Sequence, residues 1–249
     1  TFKFIGNSIN YSLNNGETWT SLASDTNSPT VSASSKIMWK ASLTPISNGI
    51  GTFSSSGNFT VEGNPMSLLY GDDFVGQTSL SGKNYAFRNL FSGCTSITSA
   101  ENMSLLATTL ATQCYAGMFH GCTSLATAPQ LPATTLTSYC YASMFKSCTS
   151  LTTAPTLSVT TLANRCYNEM FYGCTSLTTA PELPATTLST YCYHAMFRGC
   201  TSLTTAPILS ATTLVEACYQ EMFKGCTSLI TLPSNMRQAT TLASKCYND

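Results

Sequence analysis

The chain has 249 residues, eleven of them basic and eleven acidic, and charged residues make up only 9% of the sequence. This balance lacks the broad basic surface of nucleic-acid-binding proteins, so no nucleic-acid partner is expected. The hydrophobic content of 43% is too high for a disordered chain. No apolar run approaches the ~20 residues that cross a membrane as a helix, so no transmembrane segment is expected.

Residues 1–78 contain no repeat and predict a small all-β module with antiparallel strands. Residues 14–16, Asn-Asn-Gly, form a strong hairpin-turn signal. A Ser-Ser-Gly turn is expected to join the last two strands. The predicted strands are residues 2–5, 9–12, 36–40, 49–53 and 58–61.

Residues 12–19 resemble the Asp-box hairpin of sialidase-like propellers. The matching residues are Ser12, Asn14, Gly16, Thr18 and Trp19, with asparagine in the usual place of aspartate. A single copy outside a propeller has only the structural role of a turn. We therefore predict that Trp19 packs in the core of the β module and that no sialidase activity follows.

Residues 79–249 are a tandem repeat. The segment Cys-Thr-Ser-Leu recurs in steps of 26 residues, and a second cysteine series recurs with it. The shared unit is C-T-S-L-T-T-A-P-x-L-P-A-T-T-L-x-x-x-C-Y-x-x-M-F-x-G. Such a unit cannot bury its apolar face alone and must stack on its neighbours. We predict a capping half-unit followed by six units, which start at Cys94, Cys122, Cys148, Cys174, Cys200 and Cys226.

Each unit predicts one short helix and one short strand. Leu136, Cys140, Met144 and Cys148 are four residues apart, which is typical of the apolar stripe of an amphipathic helix. The glycine that precedes the next unit suits the left-handed end of a helix, although Ser147 replaces it once. The segment 124–128 predicts a strand that proline ends. The expected fold is a right-handed parallel solenoid with strands on one wall and helices on the other.

The cycle Cys-x-Ser-Leu…Leu-Pro…Leu…Met-Phe-x-Gly-Cys resembles the BspA-like leucine-rich repeats of bacterial surface proteins. The resemblance covers about residues 85–249, and it departs from the common pattern at Ala128 and Pro129, where those repeats often have an aliphatic residue. It implies a leucine-rich-repeat solenoid of short parallel strands and short helices. It also implies export to the bacterial cell surface, adhesion or ligand binding, and no catalytic residues.

The twelve cysteines all belong to the two repeating series. Within a unit, Cys140 and Cys148 would lie ~12 Å apart along a helix, too far for a disulfide. Stacked helices ~8–10 Å apart would also keep cysteines of adjacent units apart. The spacing lacks the C-x₂₋₄-C pattern of zinc ligands. We therefore predict buried free thiols, no metal site and no cofactor, while the implied extracellular location favours disulfides.

A tyrosine follows the second cysteine of each unit. These tyrosines form either a packed ridge with wet hydroxyl groups or an aromatic strip for sugars and proteins. The column comprises Tyr115, Tyr141, Tyr167, Tyr193, Tyr219 and Tyr247.

The positions that differ between units are the better candidates for recognising a partner, although random drift of a solvated helix face explains them equally well. The candidate partner-binding residues are Lys146, Asn168, Glu169, Tyr172, His194, Arg198, Gln220, Glu221 and Lys224.

No catalytic constellation is evident. His120 and His194 occupy different places in the unit without a partner for a triad, and Asp72-Asp73 is the only acidic doublet. We therefore predict a protein without enzymatic activity. The favoured function is that of a secreted or cell-surface protein that binds a protein or glycan through the solenoid surface. The alternatives are a carbohydrate-binding protein that uses the β module or the tyrosine column, and a structural spacer in an envelope or phage tail.

The last unit stops at residues 246–249, where earlier units continue to Met-Phe-x-Gly-Cys. A solenoid normally ends in a polar cap. The sequence predicts an exposed apolar patch that includes Leu229, Leu232 and Leu242. End-to-end self-association through this patch is therefore expected, unless the natural chain continues.

Overall fold

The computed structural model describes residues 1–233 and 235–247, with the side chain of Arg237 left out. Asn248 and Asp249, the last residues of the final unit, lie outside the described residues. The N-terminal β segment leads into a stack of repeating units, each of which we call a coil. One hydrophobic core runs from Phe4 in the β segment to Cys246 in the last coil.

The N-terminal segment forms two small antiparallel sheets, as the sequence predicts. Strand β1 (Phe2–Gly6) pairs with β5 (Gly51–Ser55). Strand β2 (Ile9–Ser12) lies between β3 (Thr20–Leu22) and β4 (Met38–Lys40). Strand β3 is not among the strands predicted from the sequence.

The next strand belongs to the repeat ladder. Strand β6 (Phe59–Thr60) pairs in parallel with β7 (Ile97–Ser99) of the first coil, so the predicted hairpin between the last two strands is wrong. The physical reason is that both edges of β5 are occupied, because β1 pairs with one edge and the Phe53 amide on the other donates to the Leu90 carbonyl at 2.7 Å. Helix α1 (Ser67–Tyr70) and a 3₁₀ helix (Gly71–Phe74) follow β6, and a second 3₁₀ helix spans Met236–Gln238.

The hairpin turn between β2 and β3 is confirmed. Asn15 and Gly16 both have positive φ, 56° and 89°, as a type I′ turn requires. The Gly16 amide donates a hydrogen bond to the buried Ser12 hydroxyl at 2.9 Å, and the Thr18 amide donates one to the Asn14 side-chain oxygen at 3.0 Å. The Asp-box-like residues therefore build a turn.

Trp19 does not pack in the core, so that prediction is wrong. It lies half-exposed under the Lys40 ammonium, 4.3 Å from the ring centroid. The other tryptophan, Trp39, is also half-buried but packs against the core, where it contacts Phe2, Tyr11 and Phe53. Trp39 lies within a strand, whereas Trp19 lies in the loop before β3.

The predicted helices of the repeat are wrong. In residues 79–233 and 235–247 the structure has no α-helix, and the segments predicted as helices are runs of tight turns. Alternate amides in residues 139–147 donate to carbonyls of residues 164–172 in the next coil at 2.7–3.0 Å. A helix cannot make these bonds, because its own turns use its amide groups.

The remaining amides of the same segment close turns within the coil. Cys140, Met144 and Cys148 donate to the carbonyl three residues earlier, at 3.0–3.3 Å. The third residue of each of these turns has positive φ, at Tyr139, Ser143 and Ser147 (57°, 54° and 60°). Positive φ at this position is the mark of a type II turn. The turns thus repeat every four residues, which explains why the apolar residues have the same spacing.

The rest of each coil is extended and pairs with its neighbours in parallel at single residues. Thr127, Thr153, Thr179 and Thr205 form one such column of parallel bridges. The predicted strand is therefore reduced to one bridging residue in these coils, before the proline. This part of the structure confirms a stacked, repeat-like fold with very short parallel pairing.

Two aromatic columns run through the core. Phe91, Phe119, Phe145, Phe171, Phe197 and Phe223 stack with ring centroids 5.4–5.9 Å apart. The tyrosine column stacks beside it at 5.7–5.9 Å. The methionines of the units form a further buried column: Met118, Met144, Met170, Met196 and Met222. The leucines of the Cys-Thr-Ser-Leu segments are buried from Leu125 to Leu203, whereas Leu229 is only half-buried.

The β segment covers the first face of the stack. Phe53 stacks on Phe91 at 5.6 Å, and the Phe53 amide donates to the Leu90 carbonyl at 2.7 Å. The aromatic column of the repeat thus continues into the β segment. The domain boundary at residue 78 stays a prediction.

Candidate binding surface

The tight turns form one face of the stack, which we call the turn wall: residues 113–121, 139–147, 165–173, 191–199 and 217–225. In each segment the Cys-Tyr and Met-Phe pairs are buried, apart from the half-buried Phe223. The residues between and after these pairs form the outer layer, in which most side chains reach the surface and small ones such as Ala116, Ala142 and Ala195 are buried. All nine candidate partner-binding residues lie on this wall.

The candidates are less exposed than a solvated helix face would make them. Lys224 is exposed, and the other eight are half-buried. The coils are joined by direct backbone hydrogen bonds, so side chains of neighbouring coils pack against each other across the wall. The turn geometry thus places these residues in contact from coil to coil.

Glu221 joins cations of its own coil and the preceding one. It pairs with Arg198, and its other oxygen accepts the Lys224 ammonium at 3.0 Å. The hydrogen bond from Lys224 and the charge of Arg198 lower the pKa of the Glu221 carboxyl. This carboxylate therefore stays ionised at neutral pH.

A second cluster spans the three preceding coils. Lys146 pairs with Glu169 at 2.7 Å. The ammonium of Lys146 and the guanidinium of Arg198 lie 4.5 and 5.4 Å from the ring centroid of Tyr172, within the range of cation–π attraction. Tyr172 thus lies between two ion pairs, Lys146–Glu169 and Arg198–Glu221.

Asn168 and His194 also touch across coils, with His194 Nδ1 3.0 Å from the Asn168 side-chain oxygen. Burial lowers the pKa of His194, so the neutral ring dominates at neutral pH. Gln220 lies half-buried at the place equivalent to Asn168 and His194. The structure therefore brings seven of the nine candidates into cross-coil contacts, while Lys224 contacts Glu221 of its own coil and Gln220 lies beside them.

Sequence reasoning missed a third group on the same wall. The Arg165 guanidinium lies 4.2 Å from the Tyr191 ring centroid and 5.5 Å from that of Tyr139. These three residues occupy the first positive-φ place of their coils. The available signal was that this place, just before the second cysteine, also varies from coil to coil.

A groove of about 460 Å³ crosses the N-terminal half of the turn wall. Four of its lining residues are small, and we call them the floor: Ala116, Gly117, Ala142 and Ser143. The other lining residues are larger, and we call them the rim: Arg88, Asn89, Gln113, His120, Tyr139, Lys146 and Asn168. Two candidate residues, Lys146 and Asn168, therefore line this groove.

The tyrosine column is buried, with Tyr115 to Tyr219 only 1–3% exposed. Burial raises the pKa values of these phenols well above their usual value. Of the two alternatives for the tyrosine column, the structure therefore favours a packed ridge. The rings from Tyr115 to Tyr219 are buried and offer no exposed aromatic strip for sugars.

The twelve cysteines are buried free thiols. The thiols of Cys148 and Cys174 donate to the carbonyls of Phe119 and Phe145 in the preceding coils at 3.0 and 3.1 Å. Burial raises the pKa of the Cys140 thiol to about 12. The assumed 8–10 Å helix separation between coils is wrong, because the coils are joined by backbone hydrogen bonds.

Among the described residues no group of three or more potential metal ligands converges, and no helix is long and apolar enough to cross a bilayer. Comparisons with family models, curated proteins and solved structures found no match to this chain. The functional assignment therefore depends on the chain's own residues.

Proposed function

We propose that this protein is a non-enzymatic interaction protein that binds a protein or glycan partner through the turn wall. The observation that carries the proposal is where the differences between coils fall. The core columns repeat the same residues, while charged and aromatic side chains change along the turn wall and contact each other across coils. A surface that combines a constant scaffold with a varied, half-buried polar face suits recognition.

The proposal extends to fold class and location. The array is a right-handed solenoid of the leucine-rich-repeat type, similar to BspA-like repeats but with turns in place of helices. It acts outside the cell or at a bacterial cell surface. The repeated apolar positions of the unit and the parallel pairing between coils support this class.

An array of extracellular-matrix proteins and glycans tests the function. The full chain is compared with a variant in which Lys146, Tyr172, Arg198 and Lys224 are all replaced by alanine. The matched control replaces Thr152, Thr178 and Thr204 by alanine, because these threonines are exposed on the extended part of the coils.

We expect the protein to bind a member of the array, the turn-wall variant to lose at least tenfold in affinity, and the threonine variant to bind normally. Binding that is lost only in the threonine variant would move the site to the extended face. An array without any bound member would favour the structural-spacer alternative.

A further inference from the structure

We propose that the groove on the N-terminal half of the turn wall binds a carboxylated saccharide. This inference rests on the proposed function and deepens it by naming the site and the ligand class. It is carried by the shape of the groove, the charge of its rim and the polar groups that face it.

Two coils have small residues at the groove where the next coil has larger ones. Ala116-Gly117 and Ala142-Ser143 form its floor, and the equivalent pair in the next coil is Asn168-Glu169. An added Cβ on Gly117 would collide with the side-chain oxygen of Asn89. The Asn89 side-chain amide can therefore keep its place only while residue 117 is a glycine. The volume of about 460 Å³ fits a ligand of one or two sugar rings.

The rim is cationic. The residues that line the groove include Arg88 and Lys146 and contain no carboxylate. One N–H group of the Arg88 guanidinium donates to the Ser47 carbonyl at 2.7 Å, which fixes the side chain. A guanidinium has five N–H donors, so others can bind a ligand. The Lys146 ammonium is paired with Glu169, which lies outside the lining set but also accepts a hydrogen bond from the lining Ser143 hydroxyl at 3.4 Å. Glu169 therefore offsets the charge of Lys146, while Arg88 has no carboxylate partner among the described residues, so the lining keeps a net positive charge that favours an anionic ligand.

The remaining rim groups suit a hydroxylated ring. Asn89, Gln113 and Asn168 provide amides that both donate and accept hydrogen bonds. The half-buried Tyr139 ring provides an apolar surface against which a sugar face can pack. Hydroxyl groups on a carboxylated ring match this set better than an aliphatic acid does, because the aliphatic acid would leave the amides unpaired.

The coils themselves supply a substitution that fills the groove and suits the backbone of the turn. The double change Ala142→Asn and Ser143→Glu copies the Asn168-Glu169 pair of the next coil. Glu169 already adopts the same positive φ as Ser143, 54° in both. The matched control is Thr178→Glu, which adds the same negative charge on the exposed, extended part of a coil, at a residue outside the groove lining.

Titration calorimetry on the full chain uses N-acetylneuraminic acid and glucuronic acid as probes, glucose as the neutral probe and an oligoglutamate peptide as the acidic peptide. We expect both acidic sugars to bind and added salt to weaken the binding. We also expect the groove-filling variant to lose at least tenfold in affinity while the control variant stays within twofold.

Equal affinity for glucose, or loss of binding in both variants, would overturn the carboxylated-saccharide assignment, and so would preference for the peptide. If neither acidic sugar binds while an array partner is still lost in the turn-wall variant, the groove inference fails and the proposed function stands. If the array partner is instead lost only in the threonine variant, the proposed function fails independently.

Discussion

Replacing Leu177 by alanine tests the stacking of the coils. Leu177 is fully buried in a column between Leu151 and Leu203. Deleting a buried leucine side chain costs about 3–5 kcal/mol where the surroundings cannot collapse. Collapse is hindered here because backbone hydrogen bonds of 2.7–3.0 Å fix the separation between coils. We therefore expect a cost at the upper end of the usual range.

Urea unfolding followed by near-ultraviolet circular dichroism of the stacked tyrosines measures this cost. With a denaturant slope of about 3 kcal/mol per M, the midpoint should fall by about 1 M or more. The chain offers a matched control in Leu229→Ala, because Leu229 is only half-buried in the last coil. We expect that variant to cost about half as much, since less apolar area leaves water. Equal midpoints for wild type and Leu177→Ala would mean that the register of the coils is wrong.

Three further predictions concern the thiols, alkaline pH and the turn glycines. A thiol reagent should label all twelve cysteines in denatured, unreduced protein. In native protein the same labelling should be slow, because burial keeps the thiols protonated. Fewer than twelve labelled thiols after denaturation would reveal disulfides. Burial raises the pKa of Cys140 from 9.0 to about 12, so its contribution to stability is complete below pH 9 and is lost as the pH rises from 9 to 12. The urea midpoint should therefore fall above pH 9, and a midpoint that rises would contradict this burial. Gly199 has a φ of 73°. Gly199→Val should therefore lower the free energy of unfolding by about 1–2 kcal/mol more than Gly199→Asn, because asparagine tolerates a left-handed backbone. Equal unfolding midpoints for the two variants would argue against the turn.

The sequence predicts the repeat and its core because burial in a stack constrains the same positions in every coil. Met144 and Leu151 are buried as their spacing implies. The helix was the wrong interpretation of the four-residue spacing, because over about twelve residues a period of 3.6 and a period of four place the same side chains inward. The strict spacing from Leu136 through Cys140 to Cys148 was the signal for turns, together with the glycine that precedes the first cysteine of most units.

The candidate surface could be predicted in part for the same reason. Variation between coils identified side chains such as Arg198 and Glu221, but the pairing between them depends on how closely the coils stack. The groove could not be predicted, because it is defined by small residues such as Gly117 and Ala142 whose significance appears only beside the large rim residues of adjacent coils.

The backbone φ angles of Tyr139, Ser143 and Ser147 in solution provide the most direct test, because tight turns place every side chain of the turn wall and its groove. Residue-specific NMR couplings and chemical shifts of the labelled full chain measure these angles. We expect positive φ at all three residues and negative φ at the residues between them. Uniformly negative, helical φ values through residues 137–148 would contradict the turn wall.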